Sequence, residues 1–296
     1  MRVAITGSSG LIGTALREAL NKRGDEVVRV VRSNAGAGDV LWDITAGTID
    51  ASTLEGVDAV VHLAGAGIGD AKWTPEYKQQ VLESRTLGTA LLADTIAGLD
   101  QKPSVFVSGS AIGFYGDRGS AELRETAERG DGFLADVTVA WEAAAQPAID
   151  AGIRTAFLRT GVVLSTEGGA LKEQLPFFKL GVGGKIGDGT QYWSWISIAD
   201  QVNAILHIIE SDLSGPVNVT APNPSTNAEF TAALGKALGR PTFLPTPRFA
   251  LDLRLGKEAV DEMLYASTRV LPSALLDSGF SFTHPTIDTA FEAILS

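Results

Sequence analysis

A Rossmann-type α/β fold, with a doubly wound parallel sheet and a smaller, mainly helical C-terminal substrate domain, is predicted by three features of this 296-residue chain. Short β-branched runs alternate with helical stretches, the runs are apolar on both faces, and a glycine-punctuated turn joins the first run to the first helix. In chain order, strands are expected at Arg2–Thr6, Glu26–Val31, Leu41–Ile44, Ala59–Leu63, Val105–Ser108 and Thr155–Leu158. Helical patterns fall between them, as at Leu11–Arg23 and Glu76–Leu99, and a further helix should follow the loop that begins at Gly130. After Leu164 the rhythm changes to a glycine run, Gly181–Gly189, and an aromatic segment, Gln191–Ile196. A helix over Ile198–Ser211 and a strand over Pro216–Thr220 then resume the layered pattern. The remainder carries helical stretches at Asn227–Leu238, Phe249–Leu255 and Thr286–Leu295, with the proline-rich Arg240–Pro247 as an extended connection. The expected division is a nucleotide-binding domain over 1–165, to which 194–221 returns, and a substrate domain over 166–193 and 222–296.

Bulk composition narrows the function classes. A net charge of −11 leaves no basic footprint for nucleic acid, so no nucleic-acid partner is expected. No cysteine is present, which excludes disulfides, thiolate nucleophiles and zinc-thiolate sites. The histidines His62, His207 and His284 lie far apart in unlike contexts, so no metal site is expected and each is read as structural. No uncharged apolar run reaches the roughly 18 residues of a membrane span, and the N-terminus runs from strand to glycines without a signal-peptide core. The expectation is a cytoplasmic protein with a small-molecule substrate and no membrane partner, as a monomer or homodimer.

The sharpest local signal is Thr6-Gly7-Ser8-Ser9-Gly10-Leu11-Ile12-Gly13, set between the first strand and the first helix. Gly7 permits a tight turn, Gly10 lets backbone approach a pyrophosphate, and Gly13 lets the helix pack close to the strand. Free amides at the helix start then face the anion. No Lys-Ser or Lys-Thr follows the last glycine, which argues against a P-loop. The second strand ends where a dinucleotide's ribose hydroxyls lie, a place where NAD-selective sites put an acid. Here Arg32 and Ser33 follow it, and a guanidinium suits a 2′-phosphate, so the expected cofactor is NADP(H).

With Asp58–Gly65 and Ser110-Ala-Ile-Gly-Phe-Tyr-Gly116, this turn resembles the extended short-chain dehydrogenase/reductase superfamily, which includes the nucleotide-sugar epimerases. Lys72-Trp-Thr-Pro, Ser84–Thr89, Arg159–Leu164, Trp193–Ile196, Thr220–Pro224 and Arg269–Pro272 are similar to one atypical branch. That branch comprises epimerase-family proteins related to human short-chain dehydrogenase family 39U, with their characteristic C-terminal domain, and the likeness spans essentially the whole chain. The resemblance implies that Asp43 contacts the adenine amine, though a turn or capping role suits it equally. It also implies that Leu63, Ala64 and Gly65 form the floor under the adenosine ribose and diphosphate, with Ser108 beside them.

Hydride transfer to a carbonyl needs a proton donor near the forming alkoxide. The superfamily uses a tyrosine and a lysine four residues later, and the resemblance places those roles at Leu134 and Thr138, where neither side chain can perform them. Ser110 matches the superfamily position that hydrogen-bonds a substrate oxygen. Arg85 stands where an asparagine is usual, and would favour an anionic substrate or developing negative charge, unless it is only a helix-surface ion-pair partner. For the missing acid the candidates are Tyr115, near Ser110 in sequence, and Asp136, beside the vacant positions; packing and a solvated helix face are their alternative roles. Trp73, Phe114, Phe133, Pro176, Phe177, Trp193 and Trp195 suit either a flat ligand or a domain interface, and Lys179 and Lys185 either a phosphate or solvent. Two functions remain open on the sequence: an NADP(H)-dependent oxidoreductase or isomerase of a small carbonyl or sugar-like substrate, and an NADPH-binding sensor without turnover.

Overall fold

The computed structural model describes all residues, Met1–Ser296. The chain runs β1 (Arg2–Thr6), α1 (Leu11–Arg23), β2 (Glu26–Val31), β3 (Val40–Asp43), β4 (Thr48–Ile49), β5 (Ala59–His62), α2 (Pro75–Ala97) and β6 (Val105–Ala111). It continues through β7 (Glu122–Leu123), α3 (Phe133–Ala143), α4 (Gln146–Asp150), β8 (Arg154–Thr160), β9 (Val162–Leu164) and α5 (Gly169–Lys179). Next come β10 (Tyr192–Trp193), β11 (Trp195–Ser197), α6 (Ile198–Glu210), β12 (Gly215–Val219), β13 (Ser225–Thr226) and α7 (Asn227–Leu238). The chain ends with α8 (Arg248–Leu255), α9 (Lys257–Val260), a π-helical turn Asp261–Tyr265, β14 (Arg269–Val270), α10 (Ser273–Asp277) and α11 (Ile287–Leu295).

The main sheet has the order β12-β8-β6-β5-β1-β2-β3-β4 and is parallel except for the β3–β4 hairpin. The order reverses between β5 and β1, and ligands of such sheets bind outside the strand C-termini at that reversal. Alternation along each strand divides the core. Val3, Ile5, Val61 and Val107 pack on the face covered by α1 and α6, while Ala4, Val60 and Phe106 pack on the face covered by α2 and α4. Both faces are therefore dry, which is why these strands read as continuous apolar runs. A third core joins β9 and α5 to Trp193, Trp195, Phe230 and Phe291 beneath the C-terminal helices.

Capping chemistry places several helix starts: Thr74 accepts the Tyr77 amide ahead of Pro75, Ser197 accepts from Asp200, and Thr226 with Glu229 forms a reciprocal capping box. Register decides what meets at the strand ends. Thr6 lies beside His62 and His62 beside Ser108, while two residues further on Ser110 lies beside Arg159 and Arg159 beside Asn218. Because side chains two apart share a face, these rows stack at the carboxyl edge of the sheet. No helix is long and apolar enough to cross a membrane.

Candidate dinucleotide and substrate site

The turn after β1 has no room for a side chain at Gly7 or Gly13. Gly7 has φ +63°, and a Cβ there would lie 2.7 Å from the Leu63 carbonyl carbon; one at Gly13 would lie 2.2 Å from the Gly7 oxygen. The Gly10 amide closes the turn on the Gly7 carbonyl at 2.9 Å. Gly10 is also the N-cap of α1 and brings no side-chain oxygen, so the first-turn amides of Leu11, Ile12 and Gly13 keep their hydrogen-bonding capacity. Ser8 is buried under the turn with its carbonyl held by Arg17, whereas Ser9 and Gly10 are exposed. These features fit a diphosphate: backbone approaches closely and amides point outward. Leu11 packs against the Gly168–Gly169 backbone at the start of α5.

Thr6 locks the facing wall. Its Oγ1 accepts the Leu63 and Ala64 amides at 3.0 and 3.2 Å and lies 2.7 Å from His62 Nδ1. With its lone pairs used, the hydroxyl donates to Nδ1, which puts the imidazole proton on Nε2. Burial, aided by the nearby Arg85 charge, pushes the His62 pKa down to about 3, so the ring is a neutral structural strut, as expected. At the end of β2, Arg29 is tied to Asp39, while Arg32 is exposed and makes no ion pair, and Ser33 is exposed beside it. Asp43 is exposed too; its Oδ1 accepts the Thr45 and Ala46 amides, the turn role, and its Oδ2 is free.

The substrate corner is built across the Ser110 row. Ser110 Oγ donates to Glu142 Oε1 at 2.6 Å. Arg159 grips Glu142 from below in a two-pronged pair, Nε to Oε1 and Nη2 to Oε2, both at 2.9 Å. The guanidinium stacks 3.4 Å from the Phe114 ring centroid and donates to Tyr115 Oη at 3.1 Å. Tyr115 in turn donates to Asn218 Oδ1 at 2.6 Å. Burial opposes the charge on Arg159, but Glu142 and Tyr115 outweigh it and raise its pKa above the ordinary value.

Several expected roles change in this setting. Tyr115 is fully buried, its proton is committed to Asn218, and burial raises its pKa despite Arg159, so it is a core phenol and not a proton donor. Asp136 is exposed and paired with Arg129 at 2.6 Å; it lies about 120° around α3 from Glu142 and is outside the constellation. Trp193 and Trp195 are core residues, and Pro176, Phe177 and Lys179 face solvent. Lys185 is exposed and bonds the Asp188 carbonyl. Trp73 and Phe133 stay together, 5.0 Å apart, in an open groove of about 520 Å³ that also includes Lys78 and Glu258. Ser108 is buried and makes only a long bond to the Gly109 carbonyl.

Arg85 is no surface ion-pair partner. Its single protein bond is to the Val81 carbonyl at 3.0 Å, no carboxylate meets it, and burial lowers its pKa. It lies against Gly65 and over the Trp141 ring at 5.0 Å, while that ring fills the space a side chain at Gly109 would need. The backbone at Leu134 is held from the C-terminal side: Glu262 accepts the Phe133 and Leu134 amides, both at 2.9 Å, and Thr138 bonds back to the Leu134 carbonyl. The Glu142–Arg159 pair and the contacts of Glu262 with the start of α3 are the parts of this corner that local motif reading does not reach. The one cue to Glu262 is that Gly132, the N-cap of α3, has no capping side chain.

Comparison with known proteins places this geometry. The pattern described as NAD dependent epimerase/dehydratase family matches residues 3–220, and that of a domain of unknown function, DUF1731, matches 246–294. An epimerase family protein of Mycobacterium bovis is 43% identical over 290 residues, covering 97% of this chain and 95% of the relative. The crystal structure of human epimerase family protein SDR39U1 (isoform 2) with NADPH superposes with a TM-score of 0.91 at 37% identity, covering 99% of both chains. A UDP-N-acetylglucosamine 4-epimerase from Bacillus cereus matches at a TM-score of 0.76 and 19% identity over 99% of this chain and 98% of its own, a likeness of fold alone.

Proposed function

The chain belongs to the NAD dependent epimerase/dehydratase family, and from that premise we propose that it binds NADP(H) and acts as an oxidoreductase or isomerase on a small carbonyl or sugar-like substrate with a non-standard proton route. The observation that carries this reading is the Gly7–Gly10–Gly13 cradle beside an unpaired Arg32. Gly7–Gly13 would hold the diphosphate, Arg32 and Ser33 the 2′-phosphate, Asp43 the adenine edge through Oδ2, and Leu63–Gly65 the ribose floor. The crystallisation of the 37%-identical human relative with NADPH supports the choice of cofactor. When bound, the nicotinamide supplies hydride chemistry. This chain's contribution is to orient the substrate oxygen at Ser110, to offer the unpaired Arg85 to an anionic group, and to cover the site with residues 166–193 and 222–296. Epimerisation through a tyrosine base is disfavoured, since Leu134 occupies that position.

A second reading, an NADPH-binding sensor without turnover, is favoured by one observation: neither vacant catalytic position offers an ionisable side chain, Leu134 being apolar and the Thr138 hydroxyl being bonded back to the Leu134 carbonyl. One experiment separates the two. The purified protein is incubated with NADPH and a carbonyl panel, and with NADP⁺ and the matching alcohols, while nicotinamide absorbance and tryptophan fluorescence are followed. A change in nicotinamide absorbance in either direction that is lost in Ser110→Ala establishes turnover, and quenching without such a change across both panels leaves the sensor. Absence of quenching removes both.

A further inference from the structure

Ser110 has one proton, and the structure shows where it goes. Glu142 Oε1 is 2.6 Å away, and a carboxylate can only accept, so the Ser110 hydroxyl donates to it. Glu142 cannot rotate away without abandoning both prongs of Arg159, and Arg159 is itself held by Phe114, Tyr115 and the row of strand-end residues in which it sits. What Ser110 has left for a ligand is lone pairs. A ketone oxygen, which needs a donor, finds none there; a hydroxyl, which brings its own proton, does.

We propose that the Glu142–Arg159 pair makes Ser110 an acceptor toward substrate, so that the site is selective for the alcohol member of an alcohol/carbonyl couple, and that the alcohol's proton leaves through Ser110 to Glu142. In that step the substrate O–H bond breaks as a Ser110 Oγ–H bond forms, and the original Ser110 O–H bond breaks as a Glu142 Oε1–H bond forms. One proton passes from substrate oxygen to carboxylate, and the negative charge passes the other way, onto the substrate oxygen. The hydride on the adjoining carbon is left for the oxidised nicotinamide, and to this extent the inference rests on the function proposed above. Glu142 is a positioning residue and proton terminus; Ser110 is the group that touches substrate.

The test needs two readouts. In the ligand-free protein, proton NMR should show one exchange-protected hydroxyl resonance downfield of the amide envelope, lost in Ser110→Ala and in Glu142→Gln but retained in Asp136→Asn. Its absence from folded wild type overturns the assignment of the Ser110 proton. In the NADP⁺-loaded protein, binding of lactate and pyruvate, glycerol and dihydroxyacetone, and cyclohexanol and cyclohexanone is followed by tryptophan fluorescence, for which Trp141 between Gly109 and Arg85 is the local reporter. Wild type should bind the hydroxyl member of at least one pair tenfold or more tightly, and Glu142→Gln, whose amide can donate to Ser110, should reduce that ratio below twofold. A Glu142→Gln protein that weakens both members equally, or a wild type with no hydroxyl preference across the panel, overturns the inference. If NADPH itself fails to quench the wild-type protein, it is the cofactor reading that has failed.

Discussion

The two ends of the cleft are made of different materials. At the dinucleotide end the recognising groups are backbone: amides of the α1 first turn, a left-handed Gly7, and a Gly13 with no space for a Cβ. At the substrate end they are side chains drawn from distant parts of the chain, with Ser110 and Glu142 32 positions apart and Tyr115 and Asn218 103 apart. The dinucleotide end carries the glycine spacing expected of the superfamily, while at the substrate end Leu134 and Thr138 stand where its tyrosine and lysine are expected and a buried ion pair lies beside Ser110. A backbone site cannot change without changing the turn, so it persists; a side-chain site can be rebuilt on the same strand ends.

Breaking the ion pair should have the largest effect. Arg159→Ala leaves the Glu142 carboxylate without its partner at a nearly buried site, and stability should fall by about 3–5 kcal/mol, read as a lower denaturation midpoint with an unchanged m-value. An equal loss from Arg129→Ala, whose partner Asp136 is exposed, would erase the distinction between buried and surface pairs. At the other end, Gly13→Ala should reduce NADPH affinity a hundredfold or more, because the new methyl would meet the Gly7 oxygen at 2.2 Å and open the turn. Calorimetric titration checks this.

That contrast also explains what could be read in advance. Strands β1 and β2 and helices α1 and α7 were predicted to the residue, since each is a short pattern closed by local turn or cap signals. The β3–β4 hairpin was not foreseen, because β4 has only two residues. The glycine turn and Arg32 were legible for the same local reason. Of the substrate corner only Ser110 and the empty positions Leu134 and Thr138 could be seen. Glu142 carries no local signal, and Arg159 stands only as part of a family motif, since their pairing depends on strand register and helix packing. Tyr115 was drawn toward catalysis by its nearness to Ser110 in sequence, but its row of the sheet turns it into the core.

The wall between the two ends should respond to pH. In the unfolded chain His62 titrates near 6.5, whereas in the fold its pKa is about 3, so as pH falls below 6.5 the unfolded state gains a proton that the folded state refuses. Folding should lose about 1.4 kcal/mol per pH unit from this group, or roughly 2 kcal/mol between pH 6.5 and 5, before carboxylates contribute. His62→Gln, which keeps an acceptor for Thr6, should flatten that part of the profile; an unchanged slope would mean that the ring is not buried neutral. The smallest effect belongs to Asp136→Asn, which should move stability by no more than about 0.5 kcal/mol. It should leave NADPH binding and turnover intact, and a large loss would return Asp136 to the site.

A single set of calorimetric titrations tests whether the two ends are separable: NADPH and NADH into wild type, Arg32→Ala and Glu142→Gln. NADPH should bind wild type at least tenfold more tightly than NADH, Arg32→Ala should lose that preference while NADH affinity holds, and Glu142→Gln should keep it. Equal affinity for the two cofactors in wild type or equal losses for both in Arg32→Ala would remove Arg32 from the 2′-phosphate, and a Glu142→Gln protein that has lost NADPH along with its substrate corner would show that the two ends are one unit.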